Sequence, residues 1–146
     1  MKKHQVGKYF FLFSVIIFCK NSFAQNPENW TSKQLTEPSA LAATLKTNKD
    51  VPLMFSVGPG ATIPNSVDIG MTKDEKNLAK FKEQLQKLPH STNILIYCGC
   101  CPFEHCPNVR PAIALLKDMG FSNYHLLDLP NNIKTDWIEK GYPAKK

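Results

Sequence analysis

The chain has 146 residues, with 18 Lys+Arg, 12 Asp+Glu, a formal net charge of +6, 42% hydrophobic residues and five cysteines. That length suits one compact domain and argues against a multidomain assembly. The basic balance is no sign of a nucleic-acid or anionic-membrane partner: four lysines and no acid fall within residues 1–24, and without them 14 Lys+Arg face 12 Asp+Glu, a net of +2.

In chain order, Met1–Lys8 carries Lys2, Lys3 and Lys8, Tyr9–Cys19 is almost wholly apolar, and Ser22-Phe23-Ala24 offers small residues at a cleavage site. This is the layout of a secretory signal peptide over residues 1–24, cut after Ala24. Eleven apolar residues are too few to span a bilayer, which takes roughly twenty. An acylated Cys19 is disfavoured by the bulky Phe18 before it. The expected product is exported, periplasmic or secreted, and not inserted in a membrane once the segment is removed. Residues 25–35 read as a polar, irregular lead-in in which Trp30 packs, and residues 36–146 as the domain proper.

Ser39 is placed to cap a short helix carrying Leu41, Ala42 and Leu45. Pro52–Val57 (PLMFSV) reads as a buried strand halted by Gly58-Pro59-Gly60, and Ile63–Ile69 as a short extended piece. Thr72-Lys-Asp-Glu75 has the form of a capping box ahead of a helix with Leu78, Phe81, Leu85 and Leu88 on one face. Asn93–Tyr97 (NILIY) is apolar without alternation, as for a strand covered on both faces. After a cysteine-rich loop, Pro111 opens a helix through Ile113, Leu115 and Leu116 that stops at Gly120. Tyr124–Leu129 reads as a further strand, and Thr135 as the cap of a last short helix with Trp137 and Ile138. Trp137 and Tyr142 are expected to dock the C-terminal segment, His125 to pack within a strand, and His90 to lie solvated in a turn. Alternating helices and strands predict an α/β fold with a mainly parallel sheet flanked by helices.

The loop "CGCCPFEHCPNVR" (98–110) holds the four remaining cysteines, His105 and the chain's single arginine. Disulfide frameworks spread their cysteines to close long loops, so this clustering points to local chemistry. The loop leaves the end of a strand and enters a helix, where open parallel sheets place their sites. Unpaired N–H groups and the positive helix end stabilise a thiolate there and raise its reactivity near neutral pH.

These residues resemble the rhodanese-like, or sulfurtransferase, family. "ILIYC" and "RPAIALL" match its strand ending in Tyr-Cys and its arginine-led helix, "DMGFSNYHLLDL" and "DWIEKGYP" its later strand and closing segment, and "IPNSVDI" its Ile-Pro stretch. The likeness runs over roughly residues 36–143. Three features depart from it: "MFSVGPG" lacks the usual Asp-x-Arg, Thr62 stands where a histidine is common, and the 13-residue loop is longer than usual. The resemblance implies a rhodanese-like fold and sulfane-sulfur transfer. It places the catalytic thiolate at Cys98, the first residue after the strand, whereas counting back from Arg110 points near Cys106. The strand end is the better anchor, because insertions shift loop interiors more readily than strands. Arg110 would then orient an anionic donor, and Cys100, Cys101 or Cys106 would serve as alternative or resolving cysteines. The implied partner is a small sulfane-sulfur donor or thiol acceptor, with no cofactor.

Two other readings stay open at the level of sequence. Four soft sulfurs and His105 suit Cu(I) or zinc, although C-x-C-C-x4-C is unlike paired zinc knuckles and no second Cys or His pair stands elsewhere to complete one. The spacing therefore singles out no metal ligand set. A disulfide such as Cys98–Cys106 or Cys101–Cys106 would pin the loop in an oxidising compartment without any catalysis.

Overall fold

The computed structural model describes residues 30–145. The signal segment expected over 1–24, with Cys19, lies outside the described residues. Among the described residues, no helix is long and apolar enough to cross a membrane.

Among the described residues, five strands build one sheet: β1 (Leu35–Thr36), β2 (Leu53–Ser56), β3 (Val67–Asp68), β4 (Ile94–Tyr97) and β5 (Tyr124–Leu127), in the order β1-β5-β4-β2-β3. Every pairing is parallel, so each connection must cross from one end of the sheet to the other. Three helices, α1 (Pro38–Thr47), α2 (Glu75–Leu85) and α3 (Val109–Asp118), lie in those connections. The α/β class with a mainly parallel sheet is what the sequence led to, and among the described strands the sheet is wholly parallel.

The period-two alternation of strands divides the core. Along β4, Ile94 and Ile96 join Phe81 and Leu85 of α2 and Ala112, Ile113 and Leu116 of α3. Leu95 and Tyr97 face the opposite layer, with Leu41 and Ala42 of α1 and Trp137. Cys98 continues the first series and joins the layer of α2 and α3. The apolar, non-alternating run of β4 follows directly from having a packed layer on both faces.

Four local expectations are corrected. Ser39 does not cap α1; the helix begins at Pro38 after Glu37, since a proline loses nothing at a first helical position. Thr72 does not cap α2, whose N-cap is Asp74; its hydroxyl is used in a long-range contact described below. Thr135 lies inside a π-helical turn (Lys134–Ile138), where the Glu139 N–H reaches the Lys134 carbonyl at 2.8 Å. There the Asn132 side chain accepts from the Thr135 N–H at 3.0 Å, so Asn132 does the capping expected of Thr135. Finally, Leu35 of β1 lies within the stretch read as irregular, where its two-residue strand is too short to show a pattern. Trp30 packs edge-on against Phe103 at 6.5 Å between ring centres. Trp137 meets Tyr142 at 5.2 Å and donates through Nε1 to the Pro143 carbonyl at 2.7 Å, docking the C-terminal segment as expected.

Candidate active site

The cysteine loop leaves the carboxyl end of β4, the central strand. Tyr97 fixes where it starts: its buried hydroxyl accepts from the Ile63 N–H at 3.2 Å and lies 2.8 Å from Ser66 Oγ. The Val57 N–H donates to the Tyr97 carbonyl at 2.9 Å, carrying the β2–β4 pairing to the threshold of the loop. Beyond it, Gly58 lies so close to Cys98 that a methyl group there would stand 2.5 Å from the sulfur. Gly99 gives similar room to Ile133, whose N–H donates to the Gly99 carbonyl at 3.0 Å. A short 3-10 turn, Phe103–His105, then folds the chain back, held to the end of β5 by the Phe103 N–H donating to the Leu129 carbonyl at 3.3 Å.

The result is that all four sulfurs converge. The Sγ atoms of Cys98, Cys100, Cys101 and Cys106 lie within 4.8 Å of one another, and all four are free thiols. Cys98 and Cys106 are buried, at 2% and 0% exposure, while Cys101 is half-buried and Cys100 faces solvent. Cys100 Sγ lies 3.3 Å from both Cys98 Sγ and Cys101 Sγ. His105 is exposed on the 3-10 turn and is not a member of the group.

Asn108, which sequence reasoning passed over, shapes the environment of Cys98. It is 2% exposed, its carbonyl accepts from the Thr72 hydroxyl, and its Oδ1 accepts from the Lys73 N–H at 3.2 Å. With Oδ1 so engaged, Nδ2 is turned to donate to Cys98 Sγ at 3.5 Å. The contact between Thr72 and Asn108 joins residues 36 apart in sequence, so no local pattern announces it.

These donors make Cys98 acidic. The Cys106 thiol hydrogen-bonded to it has the largest effect, opposed by burial and reinforced by the Cys100 N–H, the Asn108 amide and the Cys100 thiol; together they lower its pKa from 9.0 to about 5. The neighbours move the other way. Burial, then hydrogen bonds to Cys101 and Cys98, push Cys100 up to about 12. The bond to Cys98, followed by burial, pushes Cys106 up as well. One sulfur thus holds the charge and its neighbours hold protons, the arrangement of an activated nucleophile.

Arg110 is the second residue of α3 and is half-buried. Its guanidinium donates to the Glu104 carbonyl at 3.1 Å and braces the 3-10 turn. Of the residues singled out in the sequence, the fold therefore gathers the four cysteines at one point and sets Arg110 against the loop backbone.

No family model matches the chain, and no curated protein matches it. Solved structures do share its architecture. A protein from Lactobacillus plantarum superposes with a TM-score of 0.58 at 10% identity, over 78% of this chain and 89% of that one. A protein from Anabaena sp. gives 0.53 at 17%, over 75% and 90%. A single-domain sulfurtransferase of Saccharomyces cerevisiae gives 0.53 at 19%, over 77% and 95%. With its all-parallel sheet, flanking helices and cysteine loop at the end of the central strand, the chain has the rhodanese-like fold.

Proposed function

We propose that the chain is a sulfurtransferase or persulfide carrier in which Cys98 is the nucleophile. One observation carries this reading: the sulfur at the carboxyl end of the central parallel strand is ringed by hydrogen-bond donors from Cys106, Cys100 and Asn108. Such preorganised donors favour an anionic sulfur, whether a thiolate or the persulfide made from it. The likeness in fold to a yeast sulfurtransferase supports the same chemistry.

With thiosulfate as donor, the Cys98 thiolate attacks the outer, sulfane sulfur. A Cys98 S–S bond forms, the bond to the sulfonate sulfur breaks, and sulfite leaves with the electron pair. An acceptor, cyanide or a thiolate, then attacks the terminal sulfur of the persulfide. Its departure as thiocyanate or a new persulfide returns Cys98 as the thiolate, with no net oxidation. In this scheme Arg110 draws in the anionic donor, and its planar fork also holds the Glu104 carbonyl.

The test is thiosulfate-to-cyanide sulfur transfer by the reduced protein, with mass spectrometry of the loaded form. The expected result is turnover accompanied by the mass of one added sulfur on Cys98, both abolished by Cys98→Ala. A Cys98→Ala variant that keeps full activity, or a sulfur adduct residing on another cysteine, would rule the assignment out.

A further inference from the structure

We propose that Cys98, Cys100, Cys101 and Cys106 together form a four-sulfur site for one soft d10 cation, Zn2+ or Cu(I), sharing Cys98 with the sulfur-transfer reaction. The spacing C-x-C-C-x4-C argued against a metal on the assumption that ligands come as pairs on separate knuckles. The fold removes that assumption. The 3-10 turn at Phe103–His105 brings Cys106 back to the end of β4, and the four Sγ atoms lie within 4.8 Å of one another. A tetrahedral thiolate site with metal–sulfur bonds of about 2.3 Å sets its sulfurs about 3.8 Å apart. The two short pairs, at 3.3 Å, both involve the exposed Cys100, which has the freedom to open by rotation about its own side chain.

A second observation points the same way. The loop aims N–H donors at two of the four sulfurs, not at the nucleophile alone. The Cys98 sulfur receives the Cys100 N–H and the Asn108 side-chain amide. The Cys106 sulfur, fully buried, receives the backbone N–H groups of Asn108 and Val109 at the start of α3. In the transfer scheme Cys106 serves as a protonated donor to Cys98, so these two N–H groups meet no charged sulfur there. N–H donors aimed at ligating sulfurs are the outer shell that orients thiolates and spreads their charge on a metal. The all-sulfur donor set selects soft ions over magnesium, calcium or manganese. Cys98 and Cys106 form the closed floor of the site, and Cys100 and Cys101 its solvent side, so an ion has a way in. Cys98 enters as the thiolate, and binding replaces the remaining thiol hydrogens by metal–sulfur bonds, those protons leaving to solvent.

The experiment uses the reduced, metal-free chain, first with Co2+ as the spectroscopic stand-in for zinc, then with Cu(I) under argon. The expected result is one ion per chain by native mass spectrometry. With Co2+, intense sulfur-to-metal charge-transfer bands and tetrahedral d–d bands should appear and be displaced by one equivalent of Zn2+. Cys101→Ser, which replaces a half-buried ligand outside the transfer scheme, should weaken binding at least about tenfold, the lower end of the loss seen when only an outer-shell partner is removed. One bound equivalent should also block alkylation of Cys98, and a chelator should restore it. Failure of both ions to bind one per chain, undiminished binding by Cys101→Ser, or free alkylation of Cys98 in the loaded protein would each overturn the proposal. Sulfur loading of Cys98 is measured separately on metal-free protein, so its failure would remove the transfer reading and leave this one standing.

Discussion

Gly58 and Cys98 illustrate how closely the site is fitted at the scale of single residues. The methyl group of Gly58→Ala would stand 2.5 Å from Cys98 Sγ, well inside van der Waals contact, so the sulfur has to turn away from its donors. The expected outcome is a fall in the iodoacetamide reaction rate of Cys98, with a stability loss of about 1–3 kcal/mol in urea unfolding, the usual range for an overpacked interior. The pH dependence follows from the same donors. In reduced, metal-free protein, the alkylation rate of Cys98 should rise through about pH 5 and level off before neutrality. Cys100, held near 12, stays protonated and slow over that range. Asn108→Ala removes one donor and should move the Cys98 midpoint upward, with slower alkylation at pH 6 as the readout. The linkage has a definite sign. Between about 5 and the ordinary thiol value of 9.0, the unfolded chain holds a proton on Cys98 that the folded chain has lost. The contribution of Cys98 to stability therefore grows with rising pH across that window and disappears as pH falls through 5. Above 9.0 the raised Cys100 and Cys106 act in the opposite sense.

Among elements, the C-terminal π-helical turn does more than close the chain. Ile133, just before it, grips the Gly99 carbonyl, and Trp137 within it fills the core layer beneath β4 on the side of α1. Trp137 is fully buried, and Trp137→Ala should cost about 3–5 kcal/mol in denaturant unfolding. Cys98 alkylation in the surviving folded fraction should also lose its acidic midpoint, because the loop loses one of its anchors. These elements were legible in the sequence to unequal degrees. The apolar run of β4, the α3 helix with Pro111 in its first turn, and the docking of Trp137 and Tyr142 follow from local composition and could be read directly. The roles of Thr72, Asn108 and Gly58 could not. Each depends on a contact made across the sheet or between distant loops, and a threonine ahead of a helix looks like a cap whether or not its hydroxyl is used elsewhere. The same limit hid the convergence of the sulfurs, since spacing along the chain says nothing of a turn that brings residue 106 back beside residue 98.

At the scale of the whole molecule, the parallel sheet explains why the site lies where it does. β4 is central, paired to β2 on one side and β5 on the other, and covered on both faces. A strand held on four sides presents the residue after its end in a fixed position, which a reactive sulfur needs. The fold class was readable because alternating helices and strands leave few other arrangements. The reaction is less strongly determined, because a shared architecture hosts many chemistries.

The sheet order also sets a timetable. β1, the earliest described strand, pairs only with β5, the latest, so the first edge of the sheet to be synthesised is the last to find its partner. The cysteine loop is likewise made before its two late anchors, the carbonyl of Leu129 and the N–H of Ile133. On a nascent chain, the four thiols are present while the structure that shields two of them is not. Contacts between such distant residues fold slowly, so the hazardous interval for these sulfurs is the time between synthesis and completion of the sheet. Cys106, shielded from solvent in the finished molecule by burial, is as open to oxidation as Cys100 until the C-terminal part of the chain has docked.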